Sequence, residues 1–100
     1  MDKCTVKMFP QTYRDIDKIY EQALLVSNYA DNAIALAEKL EKAILSLEEQ
    51  PYRGAERKYG FYAFKGYRQL TVENYIIIYE VFENEKVVAV VTVKYGKSEF

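Results

Sequence analysis

The sequence contains no histidine. Histidine is the commonest general acid or base near neutral pH, so any catalysis here must fall to lysine, arginine, tyrosine or a carboxylate. Cys4 is the only cysteine. That excludes an intramolecular disulfide and a cysteine-based zinc site, and it fits a reducing cytoplasm. The opening residues Met1-Asp2-Lys3-Cys4-Thr5 have no apolar stretch of the kind a signal peptide needs. No apolar run approaches the roughly 20 residues that cross a bilayer, so no membrane association is expected. There is no internal repeat, Gly-rich phosphate loop, Ser-His-Asp set or metal-spaced cluster, so neither a cofactor nor a metal is expected. Excess charge of one sign is missing too, with 14 Lys and Arg against 15 Asp and Glu, a formal net charge of -1. Coating nucleic acid requires many cationic phosphate contacts, and nothing here reads as a sequence-specific DNA binder acting alone.

What is present suits one small globular domain over residues 1–100, of which half are apolar or aromatic. A chain of this size buries only part of its surface and is modestly stable alone. Cys4 to Phe9 reads as a first strand, ended by Pro10. Thr12 and Asp15 have the form of a capping box for a helix starting at Gln11 or Thr12. Ile16, Ile19, Tyr20, Ala23 and Leu24 then fall on one face of a helix that breaks near Ser27-Asn28. A second stripe, Ala33, Ile34, Ala37, Leu40, Ile44 and Leu47, predicts a helix over 31–49, closed by Pro51.

The second half is β-prone. Gly60 to Phe64, Tyr67 to Val72, Tyr75 to Val81 and Lys86 to Val93 read as strands, with Glu83-Asn84-Glu85 as a turn. A helix pair ahead of a strand meander predicts an α+β domain, its N-terminal strand followed by a two-helix hairpin packed on one face of a curved, mostly antiparallel sheet. Charge is uneven along this order. Residues 1–52 hold six Lys and Arg against nine Asp and Glu, whereas residues 53–100 hold eight against six. Arg53, Arg57, Lys58, Lys65 and Arg68 form the cationic segment, opposed locally only by Glu56.

Four stretches carry a resemblance: Leu47-Glu48-Glu49-Gln50-Pro51-Tyr52-Arg53-Gly54, Gly66-Tyr67-Arg68-Gln69-Leu70, Asn74-Tyr75-Ile76-Ile77-Ile78-Tyr79-Glu80-Val81 and Val90-Val91-Thr92-Val93-Lys94-Tyr95. In this order and spacing they resemble the RelE/ParE superfamily of bacterial type II toxins along almost the whole chain. The resemblance implies growth inhibition, plasmid stabilisation and a cognate antitoxin as partner. It leaves the target open, because one branch cleaves mRNA on the ribosome without a metal and the other poisons DNA gyrase. In the nuclease branch an arginine stands on the strand before the last hairpin, in a Tyr-Arg-Leu-Val-Tyr context. Ile76 occupies that position here. An isoleucine cannot stabilise a phosphate, so the pattern lies nearer the ParE-like branch.

Arg68, Lys94 and Tyr95 are the catalytic candidates if the chain is a ribosome-dependent endonuclease. Arg53, Arg57, Lys58, Lys65 and Lys97 are candidate binding residues. Each has a plainer reading as well. Arg68 can lie over an aromatic ring, Tyr95 can cap the core, and exposed lysines serve solubility. The ten tyrosines suit an interface or base stacking, but strands favour aromatics in any case. Three functions therefore stand at this point: a gyrase-binding toxin, an mRNA endonuclease, and a toxin fold that only binds its antitoxin.

Overall fold

The structure, a computed structural model, describes residues 3–27 and 30–96. Its elements are β1 (Thr5–Met8), α1 (Pro10–Ser27), α2 (Ala30–Ser46), β2 (Ala55–Glu56), β3 (Tyr67–Val72), β4 (Tyr75–Phe82) and β5 (Val87–Tyr95). The five strands form one sheet in the order β1-β5-β4-β3-β2. Every pairing is antiparallel except β1 with β5, because the helices carry the chain across the sheet before the meander begins. The expected α+β architecture is therefore present, with β1 at one edge and β2 at the other.

Both helices lay their apolar stripes on the sheet. Ile16, Ile19, Leu40, Ile44 and Leu47 meet Leu70, Ile77, Tyr79, Val88, Val90 and Val93 in one core. Full burial of a side chain such as Leu40 contributes about 2 kcal/mol. The register of β4 on β5 slips between Ile78 and Tyr79, so that Ile78 faces Thr92 while Tyr79 faces Val90. Val91 is the extra residue, and a bulge of this kind bends the strand and increases the local twist.

Three expectations are corrected. Gly60 to Phe64 is not a strand but a turn-rich loop. Gly60 has φ 75°, Phe64 φ 57° and Gly66 φ 86°, left-handed values that interrupt any extended run. The outer partner of β3 is instead the short β2, with Ala55 opposite Gln69 and Glu56 opposite Arg68. The second helix stops at Ser46 rather than 49. There the Ser46 hydroxyl donates to Ala43 O at 2.6 Å, while Leu47 N and Glu48 N reach back only three residues and tighten the last turn.

Thr12 and Asp15, lastly, do not form a capping box. α1 begins at Pro10, whose fixed φ and missing N–H suit the first helical position, and Thr12 N donates to Phe9 O at 2.9 Å. The two side chains tie α1 to β5 instead. Thr12 Oγ1 donates to Val90 O at 2.9 Å, and Asp15 accepts from the Thr92 hydroxyl and from Val93 N. The break expected at Ser27-Asn28 falls where residues 28 and 29 lie outside those described.

Candidate functional site

The cationic segment comes to lie around β2, β3 and the loop between them, and two of its five cations are turned inward. Arg57 is 7% exposed. Its Nε donates to Tyr59 O and its Nη1 to Gln69 Oε1, each at 2.8 Å. Arg68 donates through Nη2 to Tyr52 O at 3.2 Å and to Gly54 O at 2.5 Å, with its guanidinium 5.2 Å from the centre of the Tyr52 ring. Its Nε is buried without a partner. Partial burial first, then the charge of Glu83 and a hydrogen bond to it, raise the Tyr52 hydroxyl above its ordinary value, while Arg68 pulls the other way.

The remaining cations of the segment face outward. Arg53 donates to Ser46 Oγ at 2.7 Å from an exposed position. Lys58 and Lys65 are exposed, and Lys65 Nζ stands 4.1 Å over the Phe61 ring. Lys97 lies outside the described residues.

Arg68, Lys94 and Tyr95 are not brought together. Arg68 is opposite Tyr79, whereas Tyr95 is opposite Tyr75. Those positions lie four steps apart along β4, about 13 Å at the usual rise of a strand. Lys94 pairs across the sheet with Ile76, and its ammonium lies 3.9 Å from Asp15 Oδ1. Tyr95 packs edge-on against Tyr75 with ring centres 5.7 Å apart. Ile76 is half-buried next to Lys94. Among the described residues no group of His, Cys, Asp or Glu could hold a metal ion, and no helix is long and apolar enough to cross a membrane.

Two surfaces escaped the sequence reading. Beside the free edge of β1 an apolar groove of about 600 Å³ runs between the strand and both helices, lined by Val6, Met8, Tyr13, Ile16, Ile44 and Leu45 and framed by Lys7 and Glu41. Tyr13 and Leu45 are 57% and 58% exposed there. Leu45 stands beside the α2 stripe rather than in it, which was the available signal. The second surface is the loop from Arg57 to Gly66, where Tyr59, Phe61 and Phe64 all point outward. Its aromatic richness suggested a strand and so concealed their exposure.

Comparison with known proteins agrees with this architecture. The family described as the ParE toxin of the type II toxin–antitoxin system parDE matches residues 6–100. A chain of the chromosomal ParDE system from P. aeruginosa superposes with a TM-score of 0.76 at 18% identity, covering 93% of this chain and 96% of that one. The RelBE2 toxin–antitoxin complex from Mycobacterium tuberculosis contains a chain at TM-score 0.63 and 19% identity, covering 93% and 98%. The intact E. coli RelBE complex contains one at 0.62 and 16%, covering 95% and 99%. At these identities the structural likeness is one of fold. No curated protein matches the chain by sequence.

Proposed function

The chain belongs to the ParE toxin family of type II toxin–antitoxin systems, and we propose that it arrests growth by binding DNA gyrase or a related topoisomerase. The observation that carries this reading is the placement of its cations. Cleavage of RNA through its 2′-hydroxyl needs a base, an acid and a preorganised cation converging on one phosphate. Ile76 stands where that arginine is expected, Arg68 is engaged with the carbonyls of Tyr52 and Gly54, and Lys94 is paired with Asp15. Tyr95 lies at the far end of β4 from Arg68. Loss of one preorganised donor alone typically costs roughly a hundred- to a thousandfold in rate.

The partner that silences the toxin is a cognate antitoxin, as the complexes from M. tuberculosis and E. coli suggest. The β1 groove suits it. An open strand edge next to an apolar trough accepts either an added strand or the apolar face of a helix.

The test is direct. Purified chain added to gyrase should block DNA supercoiling, and the antitoxin should restore it. Added to translating ribosomes it should leave mRNA uncut, and growth arrest should survive Tyr95→Phe. Codon-dependent mRNA cleavage, abolished by Arg68→Ala or Tyr95→Phe, would replace this reading with that of an endonuclease.

A further inference from the structure

Three large aromatic side chains stand outward on one short loop. Tyr59, Phe61 and Phe64 are 73%, 69% and 74% exposed, and none of them belongs to the core cluster. Large aromatic side chains exposed together on so short a loop are a mark of a contact site. The inner side of the loop is tied down. Arg57 closes it at both ends, with its N–H donating to Tyr67 O at 2.9 Å and its carbonyl accepting from Phe64 N at 3.1 Å. Its guanidinium holds Tyr59 O from beneath. Tyr62 packs edge-on against Tyr67 at 5.0 Å, and Ala63 N donates to Gly60 O at 3.1 Å.

Phe64 adds a second observation. Its φ of 57° lies in the left-handed region, where a glycine would be accommodated at lower cost. A bulky residue held in that region points to function. The ring at this position makes no contribution to the core, so its role is outward.

We infer that this loop is the toxin's contact with its target, and that the target surface there is a protein with an apolar pocket rimmed by carboxylates. The inference rests on the reading of the chain as a toxin that acts by binding a protein. Aromatic anchors surrounded by polar and charged groups are the usual composition of such contacts, and the exposed Lys58 and Lys65, next to Tyr59 and Phe64 in the chain, supply positive charge to match carboxylates. A single-stranded nucleic acid fits less well. It needs open aromatic faces and a track of cations, but the face of Phe61 carries the Lys65 ammonium, and Arg57 and Arg68 are turned inward. The sheet order places the loop, which leads from β2 into β3, at the edge opposite β1. Target and antitoxin groove therefore lie on different sides of the molecule.

The experiment compares the full-length chain with Phe64→Gly, with Tyr59→Ser/Phe64→Gly and with Lys58→Glu/Lys65→Glu. Phe64→Gly removes the ring while suiting the backbone, so folding is kept and only contact is lost. The double aromatic variant should keep its thermal midpoint and its antitoxin affinity but lose growth arrest, with target affinity down roughly thirtyfold for each anchor. The charge-reversed variant should lose arrest as well. Full arrest by the double aromatic variant overturns the inference. So does binding of a single-stranded oligonucleotide, read by fluorescence anisotropy, that these substitutions abolish. If the wild-type chain leaves gyrase active while the loop variants still lose arrest, the gyrase assignment falls and the loop stands. If wild type and double variant block gyrase equally, the loop falls alone. A wild-type chain that arrests no growth removes both.

Discussion

Gly54 shows how a single atom can matter in a small domain. Its N–H donates to the hydroxyl of Tyr79 at 3.0 Å, and Tyr79 is fully buried. A Cβ at Gly54 would run into the carbonyl oxygen of Gln69 and lie 2.6 Å from the Tyr79 hydroxyl. The loop of residues 52–54 can approach the sheet only because no side chain intervenes, and Arg68 then holds that loop by two carbonyls. Gly54→Ala is expected to destabilise the chain by about 2 kcal/mol, the usual scale for overpacking. Tyr79→Phe, which leaves Gly54 N buried and unpaired, should cost roughly 1–2 kcal/mol. Urea unfolding of both variants checks this, and a Gly54→Ala midpoint equal to wild type would contradict the close approach.

Among elements, the junction of α1 with β5 is specified by polar groups. β1 covers only Val87 to Val90 of that strand. Beyond it, Asp15 takes the place of a neighbouring strand, accepting from Val93 N at 3.1 Å, from the Thr92 hydroxyl and from Gln11 Nε2 at 2.8 Å. Asp15→Ala strands two buried donors and should cost roughly 3 kcal/mol, with faster hydrogen exchange at the Val93 amide. Exchange at that amide unchanged from wild type would show that something else caps the strand.

At the other end of the helix pair, Lys39 meets Glu73 in the β3–β4 turn at 2.6 Å. The hydrogen bond from Lys39 first, and then its charge, hold the Glu73 carboxyl below its ordinary value, against a small opposing effect of burial. A depressed carboxylate adds stability above its unfolded pKa and loses it as pH falls through the folded one. Glu73→Gln should therefore narrow the difference between unfolding midpoints at neutral and acid pH. The effect will be small, because both side chains are about half exposed.

For the whole molecule, the consequence of the fold is two usable sides on one thin domain. The β1 edge and its groove lie at one margin of the sheet, and the aromatic loop lies at the other. Leu45 is exposed in the groove and outside the core. Leu45→Glu should then weaken antitoxin binding roughly tenfold or more while toxicity and thermal midpoint persist. Calorimetric titration and melting curves would show this, and unaltered antitoxin affinity would place the antitoxin elsewhere. Because the antitoxin binds the folded chain, free antitoxin at a hundred times its Kd should add about 2.7 kcal/mol of stability.

The order of strand, helix pair and strands was legible in the sequence because apolar periodicity is a local property. The stripes of α1 and α2 and the runs 67–72 and 75–81 each announce which face will be buried, whatever they pack against. That an isoleucine stands at position 76 was equally plain, since it concerns the identity of one residue. Polar side chains were another matter. Thr12 and Asp15 look like a local cap, yet their partners Val90 and Thr92 lie 78 and 77 residues away. Only the tertiary arrangement brings those groups within hydrogen-bonding reach. The same holds for Arg57 and Arg68, which count as surface cations in a sequence and become internal ties once the chain folds back on itself. The loop of residues 57–66 was misread as a strand for a related reason. Aromatic composition favours strands, but left-handed backbone at Gly60, Phe64 and Gly66 and the inward pull of Arg57 turned those rings to the surface instead.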